Sequence, residues 1–129
     1  MILRVLLGHR NALKEWRNLE RGVASALVEM ECLRTLDRIR LSDEIADEEI
    51  ALRRETVFKL LDSVEIIEIT MAILTRAAQP FLTSLGTLDA IHLATALLWQ
   101  ESREIPLLMA THDGVLATAS RASGLQVVS

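Results

Sequence analysis

Four short β-competent stretches, residues 22–25, 64–69, 107–110 and 125–128, alternate with helix-forming segments along the chain. Strands joined by helical crossovers run parallel, and a parallel sheet needs helices on its faces to bury them. The expected class is therefore α/β. Val64-Glu65-Ile66-Ile67-Glu68-Ile69 carries β-branched residues at strand length, whereas residues 26–41 are good helix formers with neither Gly nor Pro.

The remaining pattern fills in the alternation. Leu3, Leu6, Leu7, Leu13 and Trp16 recur at helical spacing with an interruption at residues 8–11, which predicts two short helices over residues 2–19. Ser42 is expected to cap a charge-laced helix that runs to about Leu61. A helix over residues 70–78 is closed by Pro80, and Thr87 is expected to cap another from Leu88 to about Glu101. A last helix spans residues 113–122 before Gly124 breaks the chain.

With 129 residues, half of them apolar, the chain can bury a core without staples, and residues 1–129 are expected to form one domain. There is no internal repeat or linker. Cys32 is the only cysteine, which excludes an internal disulfide and a multi-cysteine zinc site and fits a small buried hydrophobe in a reducing cytoplasm. The uncharged run of residues 90–100 is too short to cross a bilayer, so no membrane segment is expected. No secretory signal is expected either, since the apolar N-terminal run is short and no small-residue cleavage site follows it. The formal net charge of -4 argues against holding nucleic acid mainly by phosphate neutralisation. It does not exclude a nucleic-acid enzyme, because a bound metal reverses the local sign at a carboxylate site.

Two acids open predicted helices in the C-terminal half: Asp89, and Asp113 after Leu107-Leu108-Met109-Ala110-Thr111-His112. Carboxylates at the carboxyl edge of a parallel sheet are where an α/β protein holds a divalent cation, and with Glu31 they outline a Mg²⁺-dependent phosphodiesterase site. Each acid also has a plainer use. Asp113 suits a helix N-cap, Asp89 suits the positive end of a helix dipole, and Glu31 suits a surface ion pair with Arg34. Glu29 competes with Glu31, and two positions along a helix lie about 200° apart, so one of them alone can face a site. His92 stands one turn beyond Asp89, within reach of a substrate, although a half-buried His with a local hydrogen bond is commoner. Trp16, Trp99, Phe58 and Phe81 are too scattered for a base-stacking platform.

Three motifs in order resemble one family. They are Ala24-Ser25-Ala26-Leu27-Val28-Glu29-Met30-Glu31-Cys32-Leu33-Arg34-Thr35-Leu36, Leu88-Asp89-Ala90-Ile91-His92-Leu93-Ala94-Thr95-Ala96, and Ala110-Thr111-His112-Asp113 with Gly124-Leu125-Gln126-Val127-Val128. Together they look like a PIN domain, most of all the VapC-type toxins of toxin–antitoxin systems. The resemblance implies a three-layer α/β/α fold with a short parallel sheet. It also implies a Mg²⁺- or Mn²⁺-dependent endoribonuclease in the cytoplasm that hydrolyses RNA, forms a homodimer and is held inactive by a cognate antitoxin protein. By that resemblance Glu31, Asp89 and Asp113 are the catalytic, metal-binding acids, and the family register selects Glu31 over Glu29. Thr111 resembles the family's hydroxyl residue near the last acid; separately from the resemblance, Arg34 stands one turn beyond Glu31 as a candidate orienting partner, and His92 one turn beyond Asp89 as a candidate substrate contact. The face of Leu93, Ala94, Leu97, Leu98 and Trp99 is core by default, with a dimer or antitoxin interface as the alternative.

The departure is at the front. Proteins of this kind begin with an apolar strand ending in Asp, followed by the helix that residues 2–8 resemble. The expectation is that the central first strand and the first metal-binding carboxylate are missing, through a misassigned start or a truncated remnant. A strand burying several aliphatic side chains at ~1.5–3 kcal/mol each rivals the ~5–15 kcal/mol net stability of a domain. Restoring it is expected to restore the enzyme. The alternative is a catalytically inactive PIN-like binding protein that pairs with an antitoxin or an intact paralogue. A third reading, an unrelated α/β domain whose acids only cap helices, predicts no response to Mg²⁺.

Overall fold

A computed structural model describes residues 22–42 and 45–128. The two short helices expected over residues 2–19 lie outside the described residues. The chain divides into two compact units, Met1–Ile66 and Ile67–Ser129.

In the first unit β1 (Gly22–Ser25) is hydrogen-bonded to β2 (Val64–Ile67), and between them run α1 (Leu27–Ser42) and α2 (Asp47–Asp62). Ser25 turns the chain from strand into helix, its Oγ accepting the Leu27 backbone N–H at 3.2 Å. Cys32 and Leu36 of α1 are buried against Val57, Leu60 and Leu61 of α2, with Val28 and Leu33 alongside. Apolar burial of this kind supplies most of the stability of such a helix pair. Asp47, Glu48 and Glu49 in the first turn of α2 and Lys59 in its last match the helix dipole.

Ser42 does not cap α2. It is the last residue of α1, and its hydroxyl donates to the Arg38 carbonyl at 2.8 Å, one turn back. A Ser side chain that bonds the preceding turn is spent there and is lost to a following helix. Ala46 occupies the N-cap of α2 with no side-chain hydrogen bond.

The second unit begins with α3 (Met71–Ala77), which Thr70 caps by accepting the Ile73 N–H at 3.3 Å. The long helix α4 (Thr87–Arg103) follows, then β3 (Leu108–Ala110), α5 (Gly114–Ala122) and β4 (Gln126–Val128). Thr87 is the first helical residue of α4 and not its cap; Gly86 holds the N-cap position, again without a side-chain bond. Strands β3 and β4 are parallel, with Leu108 opposite Gln126 and Ala110 opposite Val128. The Gln100 side chain accepts the Leu107 N–H at 2.7 Å and so fixes the approach to β3. Leu93, Leu97, Leu116, Ala119 and Leu125 form the core. The apolar stripe of α4 is therefore core: Leu93, Ala94, Leu97 and Trp99 are buried and Leu98 is half-buried.

The described chain is mostly helical with short strands, the α/β class that the alternation demands. No helix among the described residues is long and apolar enough to cross a membrane.

Candidate metal centre

The loop from β3 into α5 is held by a run of local hydrogen bonds. Thr111 is buried, and its N–H donates to the Val128 carbonyl at 3.0 Å, carrying the β3–β4 ladder one residue further. Its Oγ1 accepts the Asp113 N–H at 3.1 Å. That bond holds Asp113 in extended backbone (φ -78°, ψ 116°), the conformation of an N-cap. Asp113 Oδ1 then accepts the Leu116 N–H at 2.9 Å, and the Asp113 carbonyl accepts the Ala117 N–H at 2.9 Å. The carboxylate is exposed, and its second oxygen has no hydrogen-bond partner among the described residues. The cap expected of a helix-opening Asp is thus real, and one oxygen remains for a cation.

Asp89 lies in the first turn of α4 and is half-buried, with His92, also half-buried, one turn further on. The start of that turn is set by the Gly86 carbonyl, which accepts the Ala90 N–H at 2.8 Å.

Glu31 and Arg34 belong to α1 of the first unit. Burial separates the two rival acids of that helix, since Glu31 is half-buried and Glu29 is exposed. Glu31 adjoins Cys32, whose thiol is pushed up to about 11, first by its burial and then by the Glu31 charge. A thiol so held is protonated at neutral pH. Arg34 is exposed and forms no ion pair among the described residues, unlike Arg40 with Asp37 at 2.8 Å and Arg53 with Glu49 at 3.0 Å. Arg38, which the sequence reading passed over, is exposed on the same side of α1 and donates to Thr35 Oγ1 at 3.1 Å. Counting by turns from Glu31 would have found it.

Chemically, three carboxylates suit a hard divalent cation, which prefers oxygen ligands and keeps some of its waters. Among the described residues no group of three His, Cys, Asp or Glu side chains stands together in a way that would hold one. The model of the family described as PIN domain matches residues 2–121. The chain belongs to the PIN domain family. That span contains Glu31, Asp89, Thr111 and Asp113. No curated protein matches the chain. Short parallel strands among many helices are consistent with the PIN α/β/α fold. PIN membership points to a nuclease, typically one that acts on RNA and generally uses divalent metal ions.

Proposed function

We propose that this PIN domain is a Mg²⁺- or Mn²⁺-dependent endoribonuclease of the VapC type, the toxin of a toxin–antitoxin pair. The observation that carries the reading is a PIN match whose span includes three acids, two of them at helix starts of the second unit. In this proposal Glu31, Asp89 and Asp113 hold the ion. When bound, it would acidify a water and offset the charge that builds on the scissile phosphate. Asp113 contributes its uncommitted oxygen while the other anchors it to α5. Thr111 keeps that carboxylate in place through the Asp113 N–H and retains its own O–H for a water. Arg34 and His92 lie one turn beyond Glu31 and Asp89, where they would meet the RNA strand. We assign the chain one domain over residues 1–129, a cytoplasmic setting, a homodimeric state and a cognate antitoxin as its inhibitor.

The test is cleavage of a labelled RNA by the purified chain with Mg²⁺, with Mn²⁺ and with EDTA, alongside Asp89→Asn and Asp113→Asn. Metal-dependent cleavage that both substitutions abolish supports the proposal. Cleavage that survives both, or persists in EDTA, refutes it. The second reading is a non-catalytic PIN protein that pairs with an antitoxin or an intact paralogue. It predicts no cleavage under any metal together with retained partner binding.

A further inference from the structure

Helix α1 has two faces, and the one turned away from its core is the informative one. At 100° per residue, Arg34, Thr35 and Arg38 all fall within about 60° of Glu31 around the axis. Cys32, Leu33 and Leu36, which pack with α2, lie about 100–200° away, and Val28 marks the edge of that packed face about 60° from Glu31 on the side opposite Arg34. Arg34 and Arg38 are both exposed, and neither has a carboxylate or aromatic partner among the described residues. The contrast with their neighbours is sharp. Arg40 and Arg53 are paired with acids, while Arg54, Arg76 and Arg103 lie over the rings of Phe58, Phe81 and Trp99. A like-charged pair one turn apart weakens a helix unless an anion lies across it.

We propose that Arg34 and Arg38 form a phosphate-binding stripe for single-stranded RNA, leading away from Glu31 along α1. The inference rests on the nuclease reading for its starting point, since the strand must present its scissile phosphate near that acid. The rise of the helix puts Arg34 about 4.5 Å and Arg38 about 10.5 Å beyond Glu31, so the two guanidinium groups address neighbouring phosphates of an extended strand. Arg is suited to this, because its planar fork pairs with phosphate oxygens in a bidentate manner. Thr35 Oγ1 accepts the Arg38 Nη2 donor and aims that side chain along the stripe. A protein of net charge -4 that acts on RNA needs such a local concentration of positive charge.

The experiment is fluorescence anisotropy of a labelled single-stranded RNA in EDTA, which reads binding apart from cleavage, over a salt series. The chain is compared with Arg34→Gln, Arg38→Gln, the double variant and Arg121→Gln, an exposed arginine of the second unit. Each lost phosphate contact lowers the slope of log affinity against log salt by about 0.7. The double variant is expected to lose about 1.4, making its affinity change between 50 and 200 mM salt about sevenfold smaller. Arg121→Gln should match the unsubstituted chain. An unchanged slope in the double variant overturns the stripe, as does RNA binding too weak to detect in the unsubstituted chain. Labelled poly-glutamate is run as a parallel probe, and a loss in the double variant that affects poly-glutamate and spares RNA overturns the stripe in favour of an acidic protein. The two proposals separate cleanly. Metal-dependent cleavage with an unchanged KM in the double variant removes the stripe and leaves the nuclease. A reduced slope in a chain that never cleaves removes the nuclease and leaves an RNA-binding stripe.

Discussion

Asp113 does two things that a pair of substitutions will separate. Its Oδ1 accepts the Leu116 N–H at 2.9 Å at the start of a nine-residue helix whose Leu116, Ala117, Ala119 and Ser120 are buried. Asp113→Ala removes that acceptor and leaves a helix N–H without its cap, which costs about 1 kcal/mol, within a range of ~0.5–2. In a chain of this length the change lowers Tm by about 3–5 °C. In urea it moves the midpoint by about 0.5 M. Asp113→Asn keeps an oxygen of the same reach, and Asn ranks with Asp as a cap, so it should unfold within a few tenths of a kcal/mol of the unsubstituted chain. It nevertheless replaces a cation ligand by a neutral amide and should abolish metal-dependent cleavage. Urea melts followed by circular dichroism, run beside the RNA assay, give both readouts from the same preparations. If Asn destabilises as much as Ala, the cap is not what the hydrogen bond contributes. If Ala melts with the unsubstituted chain, the Asp113 cap carries no stability.

Gly124 has φ +92°, and a Cβ added there meets nothing within 4 Å, so Gly124→Ala should cost about 1–2 kcal/mol from backbone strain alone, measured by the shift of the urea midpoint. Leu93 is fully buried at the centre of the second unit's core, and Leu93→Ala should cost about 2–5 kcal/mol in the same measurement. Burial raises the Cys32 thiol from 9.0 to about 11. A raised folded pKa gives stability that is complete below pH 9 and is lost as pH rises through 11, so midpoints should fall across that window and stay flat in Cys32→Ala. The same thiol should resist iodoacetamide at pH 8 until the protein is unfolded.

The element order was legible because it rests on periodicity and breakers, which are local. Strand β1 is legible to the residue, and Pro80 and Gly124 fall just beyond the ends of their helices, while Thr70, expected inside its helix, is the N-cap. Caps were less legible, since they depend on which backbone group a short polar side chain reaches. Ser42 bonds backwards to Arg38, Thr87 enters the helix it was expected to cap, and Asp113 caps as expected. The choice between Glu29 and Glu31 was beyond periodicity, because Val28, Cys32, Leu33 and Leu36 spread α1's apolar arc widely; in the folded chain Glu31 is half-buried and Glu29 is exposed. How Glu31 stands to Asp89 and Asp113 was never a local property. It depends on packing between segments far apart in sequence, and no spacing rule encodes that.

A cap and a cation ligand are rival uses of Asp113 on the sequence alone, but electrostatics makes them complementary. The first turn of α5 presents unpaired N–H groups, worth about half a positive charge, that would repel a cation placed beside them. By accepting the Leu116 N–H, Oδ1 satisfies one of those donors and places its own negative charge between the helix end and whatever approaches from outside. A carboxylate has acceptor capacity for both tasks, and an ion bound to Oδ2 would meet a locally neutralised helix end. Asp89, in the first turn of α4, stands at the corresponding end of its helix. Substitutions at residue 113 should therefore fall in a graded order. Asn and Ser should both keep α5 capped, while neither carries the charge that offsets the helix end. Glu restores the charge with a longer reach, so it alone of the three should retain measurable Mn²⁺ affinity by calorimetry. If Asn binds Mn²⁺ as tightly as Asp, charge compensation at the helix end is not part of this site.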